Sequence, residues 1–366
     1  MKDPTNTNIR VAVFGESGSG KTTLLSAFFG KQQSETFATG NKYYFSADNK
    51  GQGNSLLSNY YGLEEGHFPS ATFGYEDYNF SVFIPDLKQK KSELKVTWID
   101  YPGKWWTQEE RDSDAKKIQQ TCFESLMSAQ VGILLVDAAR LKEENEKYLR
   151  KLFEQFRNEF KRIERESLQE GRPAPIGPET WIIALNKADL FPNMDALSFS
   201  KMVIRSAGQQ FQDIAKQLRC NNFGCKYLLL ASVKTKPTGE IEDPNSTIGI
   251  DCIAPAALVS ALEEFQNVLR KRAADKSWRE KWIESMKNIL SFVDSLDDFL
   301  PPKYQIITQI IRELGIADML DQKIEVIRSR RDDYIKKENV LGATISSMLS
   351  TFQASKEKGV YTECQK

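Results

Sequence analysis

The run Gly15-Glu16-Ser17-Gly18-Ser19-Gly20-Lys21-Thr22 has the form GxxxxGK[ST]. Its glycines let the backbone wrap closely around phosphate, with several N–H groups turned inward. A helix beginning here would add its positive end. Lys21 is expected to reach the β- and γ-phosphates of a nucleoside triphosphate, and Thr22 to offer its hydroxyl to Mg²⁺. Gly15, Ser17, Gly18, Ser19, Gly20 and Thr23 complete the expected phosphate cradle. A plain glycine-rich turn is the bland alternative. The flanking pattern, an apolar run before the motif and helical spacing after it, argues against that.

Three other short motifs follow at the ends of strand-like runs. Asp100-Tyr101-Pro102-Gly103 comes after Lys95–Ile99. There an acidic side chain could hold Mg²⁺ through water, and the Gly103 N–H could meet a γ-phosphate. On its own DxxG is weak, because turns are rich in Asp, Pro and Gly. Asn186-Lys187-Ala188-Asp189 follows Trp181–Leu185. A carboxylate such as that of Asp189 can accept from guanine N1–H and N2–H₂, a donor pair that adenine lacks, and a mismatch would leave buried polar groups unpaired. Lys187 would lay its stem on the base. A helix N-cap at Asn186 or Asp189 is the alternative. Ala231-Ser232-Val233-Lys234 is the softest match, with the Val233 N–H placed to meet guanine O6.

These motifs need an alternating scaffold. Ile9–Phe14 reads as a buried strand and Lys21–Phe29 as a helix. Lys31 to about Ser70 is polar and glycine-rich and reads as irregular. Asn79–Ile84 and Glu93–Ile99 read as an antiparallel hairpin, with Lys88, Lys90 and Lys91 at its solvated tip. Helical patterns at Glu109–Ser128, Leu141–Leu168, Phe199–Leu218 and Ala256–Lys271 alternate with apolar strands at Val131–Val136, Trp181–Leu185 and Tyr227–Leu230. The expected fold class is α/β, with a mostly parallel sheet flanked by helices. From Asp275 onward no strand signal is visible, and the apolar spacing predicts an all-α appendage. The expected organisation is a nucleotide-binding domain over 1–273 and a C-terminal helical region over 274–366.

The order P-loop, DxxG, NKxD and SxK resembles that of the TRAFAC-class GTPases, the Ras-like and Era-like proteins, over about residues 9–273. The DxPG form is similar to the Era and septin side of the class. The resemblance implies a Rossmann-like P-loop NTPase fold, GTP and Mg²⁺ as ligands, and two switch segments that respond to the γ-phosphate. It also implies a threonine that closes over Mg²⁺ from before the second strand. Thr72 is the candidate, in competition with Ser70, Thr36 and Thr39. The expected catalytic set is then Lys21, Thr72 and Gly103, and the expected metal set Thr22, Thr72 and Asp100. Some forty residues separate the first helix from Thr72, so the first switch region, about 31–77, is expected to be expanded or to carry an insert.

The chain departs from the class in two places. Lys104 stands where Ras-like proteins carry a water-orienting glutamine, so hydrolysis is expected to be slow unless a partner, a second copy, Gln108 or Glu109 completes the site. Gly18 stands where some Era-like proteins bind K⁺ through asparagine, which argues against that route of activation. Trp105-Trp106 fits either packing on the sheet or an effector contact, and His67 reads as a solvated loop residue.

Composition narrows the classes further. Fifty basic and fifty acidic residues give zero formal net charge, so no general attraction to nucleic acid or membrane is implied. Five irregularly spaced cysteines and a single histidine make a zinc site improbable and suit a reducing compartment, so a cytoplasmic location is expected. No signal peptide, transmembrane run or prenylation box is evident. The expected partners are proteins, or homo- or hetero-oligomer mates, engaged through the switch regions or the C-terminal helices. The expected function is a slowly hydrolysing GTP-dependent switch. Two alternatives stay open: an assembly protein with GTP or GDP as a structural ligand, and a P-loop ATPase or kinase, which Asn186 to Asp189 disfavours.

Overall fold

In the computed structural model, described over residues 7–87, 94–171, 176–218, 220, 222–236, 238–295 and 316–364, the chain forms two compact units. One comprises 1–261 and 346–366, the other 262–345. The apolar run at the start becomes β1 (Thr7–Phe14), and α1 (Lys21–Lys31) follows the glycine-rich loop. Next come α2 (Glu35–Asn41), β2 (Tyr44–Ala47), α3 (Lys50–Glu64), β3 (Glu76–Phe83) and β4 (Leu94–Asp100). The middle of the unit contains α4 (Ser113–Met127), β5 (Val131–Asp137), α5 (Ala138–Glu144), α6 (Glu146–Gln169) and β6 (Thr180–Asn186). It continues with α7 (Ala196–Gln217), β7 (Lys226–Leu230) and the short pair β8 (Lys234–Thr235) and β9 (Ile241–Asp243). Helix α8 (Ile253–Ser295) leaves the first unit, α9 (Ile316–Glu357) returns to it, and β10 (Tyr361–Glu363) ends the described chain.

The main sheet has the order β10-β7-β6-β5-β1-β4-β3-β2. Its centre, β4-β1-β5-β6-β7, is parallel; β3, β2 and β10 run antiparallel at the two sides. This is the mostly parallel α/β sheet with a helical appendage that the pattern predicts. Every residue of β5 is buried, as expected of a strand covered on both faces. On one face Phe14, Trp181, Phe156 and Phe160 pack with residues of α4, α6 and α7. On the other, Phe28 of α1 packs on Phe45 and Trp98, and Phe29 on Phe80. Parallel strands aligned in this way bring the C-terminal ends of β1, β4, β6 and β7 to one edge, where the motif loops emerge.

Four local expectations need correction. The stretch from Lys31 to Ser70 is not irregular: it folds as α2, β2 and α3, with β2 added to the sheet edge on β3. Two glycines, Gly30 just before the stretch and Gly53 within it, mark close packing rather than loop. A Cβ on Gly30 would lie 2.1 Å from the Tyr60 ring, and one on Gly53 2.9 Å from the Ala47 Cβ. Asn49 caps α3 by accepting from Gly51 and Gln52 N–H. The single long helix expected over Leu141–Leu168 is two helices, broken at Asn145, whose φ is 55°; asparagine is among the residues that tolerate positive φ. The continuous α8 extends far past Lys271. Finally, β10 is a strand within the stretch read as wholly helical. It is three residues long, below what periodicity resolves, and depends on pairing with β7.

The second unit holds the remainder of α8 and α9. Buried Glu280 pairs with both Arg328 and Arg331 there, which fixes the register of one helix against the other. The lysines at 88, 90 and 91, and Asp297 and Asp298, lie outside the described residues.

Candidate functional site

The loop after β1 is shaped by Gly18 and Gly20, at φ 78° and 87°. Positive φ at these positions favours glycine. Ser19 N–H closes the turn on Glu16 O at 3.2 Å. Lys21 is buried, and its Nζ donates to Gly15 O at 2.9 Å and Glu16 O at 3.2 Å. It also lies 5.0 Å from the centre of the Tyr101 ring. Burial pushes the Lys21 ammonium down to about 8, with Asp100 and Glu16 pulling the other way. The Glu16 carboxylate faces away to pair with Arg140 of α5, which lies over Tyr148.

Beside this loop three oxygens meet. Thr22 Oγ1 and Thr72 Oγ1 are 2.7 Å apart, and each donates to Asp100 Oδ2 at 2.9 Å. So Thr72, rather than Ser70, Thr36 or Thr39, is the hydroxyl that reaches Thr22 and Asp100. Burial raises the Asp100 pKa, and Lys21, Thr22 and Thr72 oppose the rise. Its Oδ1 is buried with no hydrogen-bond partner among the described residues. A hard cation takes such oxygen donors, so two hydroxyls and an unsatisfied carboxylate fit Mg²⁺.

The segment after β4 lies directly on the glycine-rich loop. A Cβ on Gly103 would stand 2.5 Å from Ser17 N and 2.6 Å from Glu16 C and O, all backbone. Lys104 turns outward to Glu110 at 2.9 Å. Trp105 and Trp106 are buried, so packing is the outcome for both. Trp105 donates to Glu110 at 2.7 Å, and Trp106 donates to the Tyr101 hydroxyl. Buried Gln119 of α4 ties the segment down, donating to Trp105 O at 3.1 Å and Gln108 O at 2.9 Å. His67 is exposed, and its backbone N–H closes α3 on Gly62 O at 2.7 Å.

At the far end of the cleft, Asn186 Nδ2 donates to Ser19 O at 2.7 Å and so ties the two loops together. A Cβ on Gly20 would meet that same nitrogen at 2.5 Å. Lys187, at φ 60°, sends its Nζ to Asp137 Oδ2 at 2.8 Å. Asp189 Oδ2 accepts from Thr235 N at 2.8 Å and Thr235 Oγ1 at 2.6 Å. Ser232 and Val233 are buried; Lys234 projects to Glu242 at 2.8 Å.

A single cavity of about 800 Å³ joins the two ends. Ser17, Gly18, Gly20, Lys21, Thr22, Thr23, Thr72 and Gly103 line it at one end, and Asn186, Lys187, Asp189, Ser232, Val233 and Thr235 at the other. That volume is in the range of small-molecule sites, generally ~300–1,000 Å³. Arg140, Asp137, Gln119 and Thr235 carry contacts that the motifs did not reveal. Only Thr235, one residue beyond the SxK match, lay close enough to a motif to be noticed.

A family model described as Double-GTPase 2 matches residues 9–241, well over half of the chain. No curated protein matches. Among solved structures, the S. cerevisiae Ski7 GTPase-like domain bound to GTP shares 14% identity over 62% of this chain and 43% of that one, with a TM-score of 0.28. Methanosarcina barkeri Roco2 RocCORdC bound to GDP shares 16% identity over 59% of this chain and 51% of that one, with a TM-score of 0.24. This chain therefore spans about half of each of those chains or less. The family match covers the strand–loop–helix start, the Asp100–Gly103 and Asn186–Asp189 loops and the chain through β8, and the chain belongs to the Double-GTPase 2 family of P-loop GTPases.

Proposed function

We propose that this cleft binds GTP with Mg²⁺ and hydrolyses it slowly, so that bound nucleotide controls contact with a protein partner. The observation that carries the reading is the single cavity with the Thr22–Thr72–Asp100 cluster at one end and Asp189 at the other. The backbone N–H groups of Gly15 to Thr22 and the start of α1 would hold the phosphates. Lys21 would exchange its two loop carbonyls for β- and γ-phosphate oxygens, and burial strengthens that charge pairing. Mg²⁺, held by Thr22 and Thr72 with Asp100 behind it, would offset charge on the phosphates. Gly103 N–H would complete the γ-phosphate site. Asp189 would accept from the guanine edge, while Asn186 holds the base loop to the phosphate loop.

Slow turnover follows from Lys104. It stands where Ras-like proteins carry the water-orienting glutamine, and it pairs with Glu110. The structural-ligand reading keeps one specific support, the firm anchoring of Trp105 and Trp106. The partner surface is proposed on the 68–73 segment, where Phe68 and Phe73 are exposed, and on the C-terminal helices. A cytoplasmic setting suits the five cysteines, none of which is in a disulfide among the described residues. No described helix is long and apolar enough to cross a membrane.

Single-turnover phosphate release tests the chemistry, and the expected result is slow GTP-specific release that requires Mg²⁺. Release no faster than in buffer, with or without added copies of the chain, would leave the structural-ligand reading. ATP competing as well as GTP, with Asp189→Ala altering neither affinity, would overturn guanine recognition.

A further inference from the structure

Asp189 lies in a short 3₁₀ turn, Ala188–Leu190, and a carboxylate there is free to rotate about its terminal torsion unless something holds it. A carboxylate offers about four lone-pair sites. Thr235 fills those of Oδ2 with its N–H at 2.8 Å and its hydroxyl at 2.6 Å. Oδ1 has no hydrogen bond among the described residues, and Asp189 lines the cavity. By contrast the Ser232 hydroxyl, inside the SxK match, is buried without a hydrogen-bond partner among the described residues.

Thr235 owes its position to the β8–β9 hairpin. Lys234 pairs with Glu242 at 2.8 Å and Lys236 with Glu240 at 3.1 Å, one on each side of it. The register shifts between Lys234, opposite Asp243, and Thr235, opposite Ile241. Irregularities of this kind re-aim a side chain. Ala231 and Ile248 close the base of the hairpin through reciprocal backbone bonds of 2.9 Å.

We propose that Thr235 is the positioning residue for guanine: it clamps Oδ2 of Asp189 so that the carboxylate presents Oδ1 to the base edge. This rests on the reading of the cleft as a guanine-nucleotide site. With the clamp gone the carboxylate samples more orientations, and the loss falls on the ligand that needs both edge donors accommodated. GDP carries N1–H and N2–H₂; IDP, whose base lacks the exocyclic amine, carries only N1–H.

The test uses the full chain, a fluorescent GDP derivative, and competition by unlabelled GDP and IDP. Thr235→Val keeps shape and backbone N–H but removes the hydroxyl; Thr235→Ser keeps the hydroxyl. The expected result for Thr235→Val is a loss of about tenfold in GDP affinity, the order set by one hydrogen bond to a charged group. IDP affinity should fall by less than about threefold, so the GDP-over-IDP preference narrows. Thr235→Ser should keep the wild-type preference. If Thr235→Val fails to fold by its melting curve, Thr235→Ala carries the same comparison. Equal losses for GDP and IDP, no loss, or a Thr235→Ser variant as impaired as Thr235→Val would overturn the clamp. A wild-type chain that binds GDP no better than ADP would overturn the nucleotide reading itself, and the clamp with it.

Discussion

Gly103→Ala tests the proposed γ-phosphate site at its tightest point. The added Cβ would lie 2.5 Å from Ser17 N and 2.6 Å from Glu16 C and O. Carbon contacts settle at ~3.5–4.0 Å, so the two loops must separate by about 1 Å. The neighbours are backbone atoms, which cannot swing aside as a side-chain tip does. Overpacking of this kind costs about 1–3 kcal/mol. In the proposed site only GTP needs the Gly103 N–H pressed against the loop, so that cost weighs chiefly on the GTP complex. The ratio of GTP to GDP affinity should then drop by about 5- to 150-fold. Equilibrium titration with fluorescent GDP and a fluorescent non-hydrolysable GTP analogue measures both affinities, and a melting curve of the nucleotide-free chain reports any general loss of stability. GDP binding close to wild type with weakened GTP binding is the expected outcome. An unchanged ratio would refute the claim that residue 103 must press on the phosphate loop when GTP is bound.

Lys104→Ala should leave single-turnover hydrolysis within about twofold of wild type, because the ammonium is engaged by Glu110 on the outer side; a loss of about tenfold, or ~1.4 kcal/mol, would place Lys104 in the chemistry. Burial pushes the Cys252 thiol up to about 11 from 9.0. At pH 8 only about one Cys252 in a thousand is thiolate, so alkylation of the native chain should label it far more slowly than the unfolded chain. The same shift sets a sign: between pH 9.0 and about 11 the folded state holds the extra proton, so stability falls as pH rises through that window. Replacing Cys252 by alanine should flatten that part of a urea-melt pH profile. Glu280→Gln should lower the melting temperature of the helical unit, followed by circular dichroism, because Arg328 and Arg331 lose their shared counter-charge. The difference should shrink at high salt.

The motif residues were legible because each motif compresses its chemistry into a few consecutive positions. Gly18 and Gly20 must adopt positive φ, and Lys21 and Thr22 follow them directly, so a short window holds the whole cradle. Thr72 was reachable only through family resemblance, since nothing local marks that hydroxyl as the one meeting Asp100. Gly51, Gly53 and Gly62 misled: glycine is a poor helix former, yet all three lie in α3, and only the closeness of Ala47 in β2 explains the one at 53. Strand β10 and the bonds of Thr235 to Asp189 depend on partners distant in sequence. The first depends on β7 more than a hundred residues upstream, the second on a carboxylate 46 positions away.

The geometry also separates the two loops that a γ-phosphate would touch. The stretch after Gly103 is pinned by buried Trp105 and Trp106 and by the two bonds from Gln119. The stretch from 68 to 73 has the opposite character. Phe68 and Phe73 are 48% and 88% exposed, and its hold on the cluster is the Thr72 hydroxyl, bonded to Thr22 and Asp100. Local opening is easiest where few apolar contacts are buried. In the proposed switch, loss of the γ-phosphate would therefore free the 68–73 stretch before the anchored segment that follows Gly103. A partner that distinguishes the two nucleotide states would then read Phe68 and Phe73, which sit on either side of Thr72.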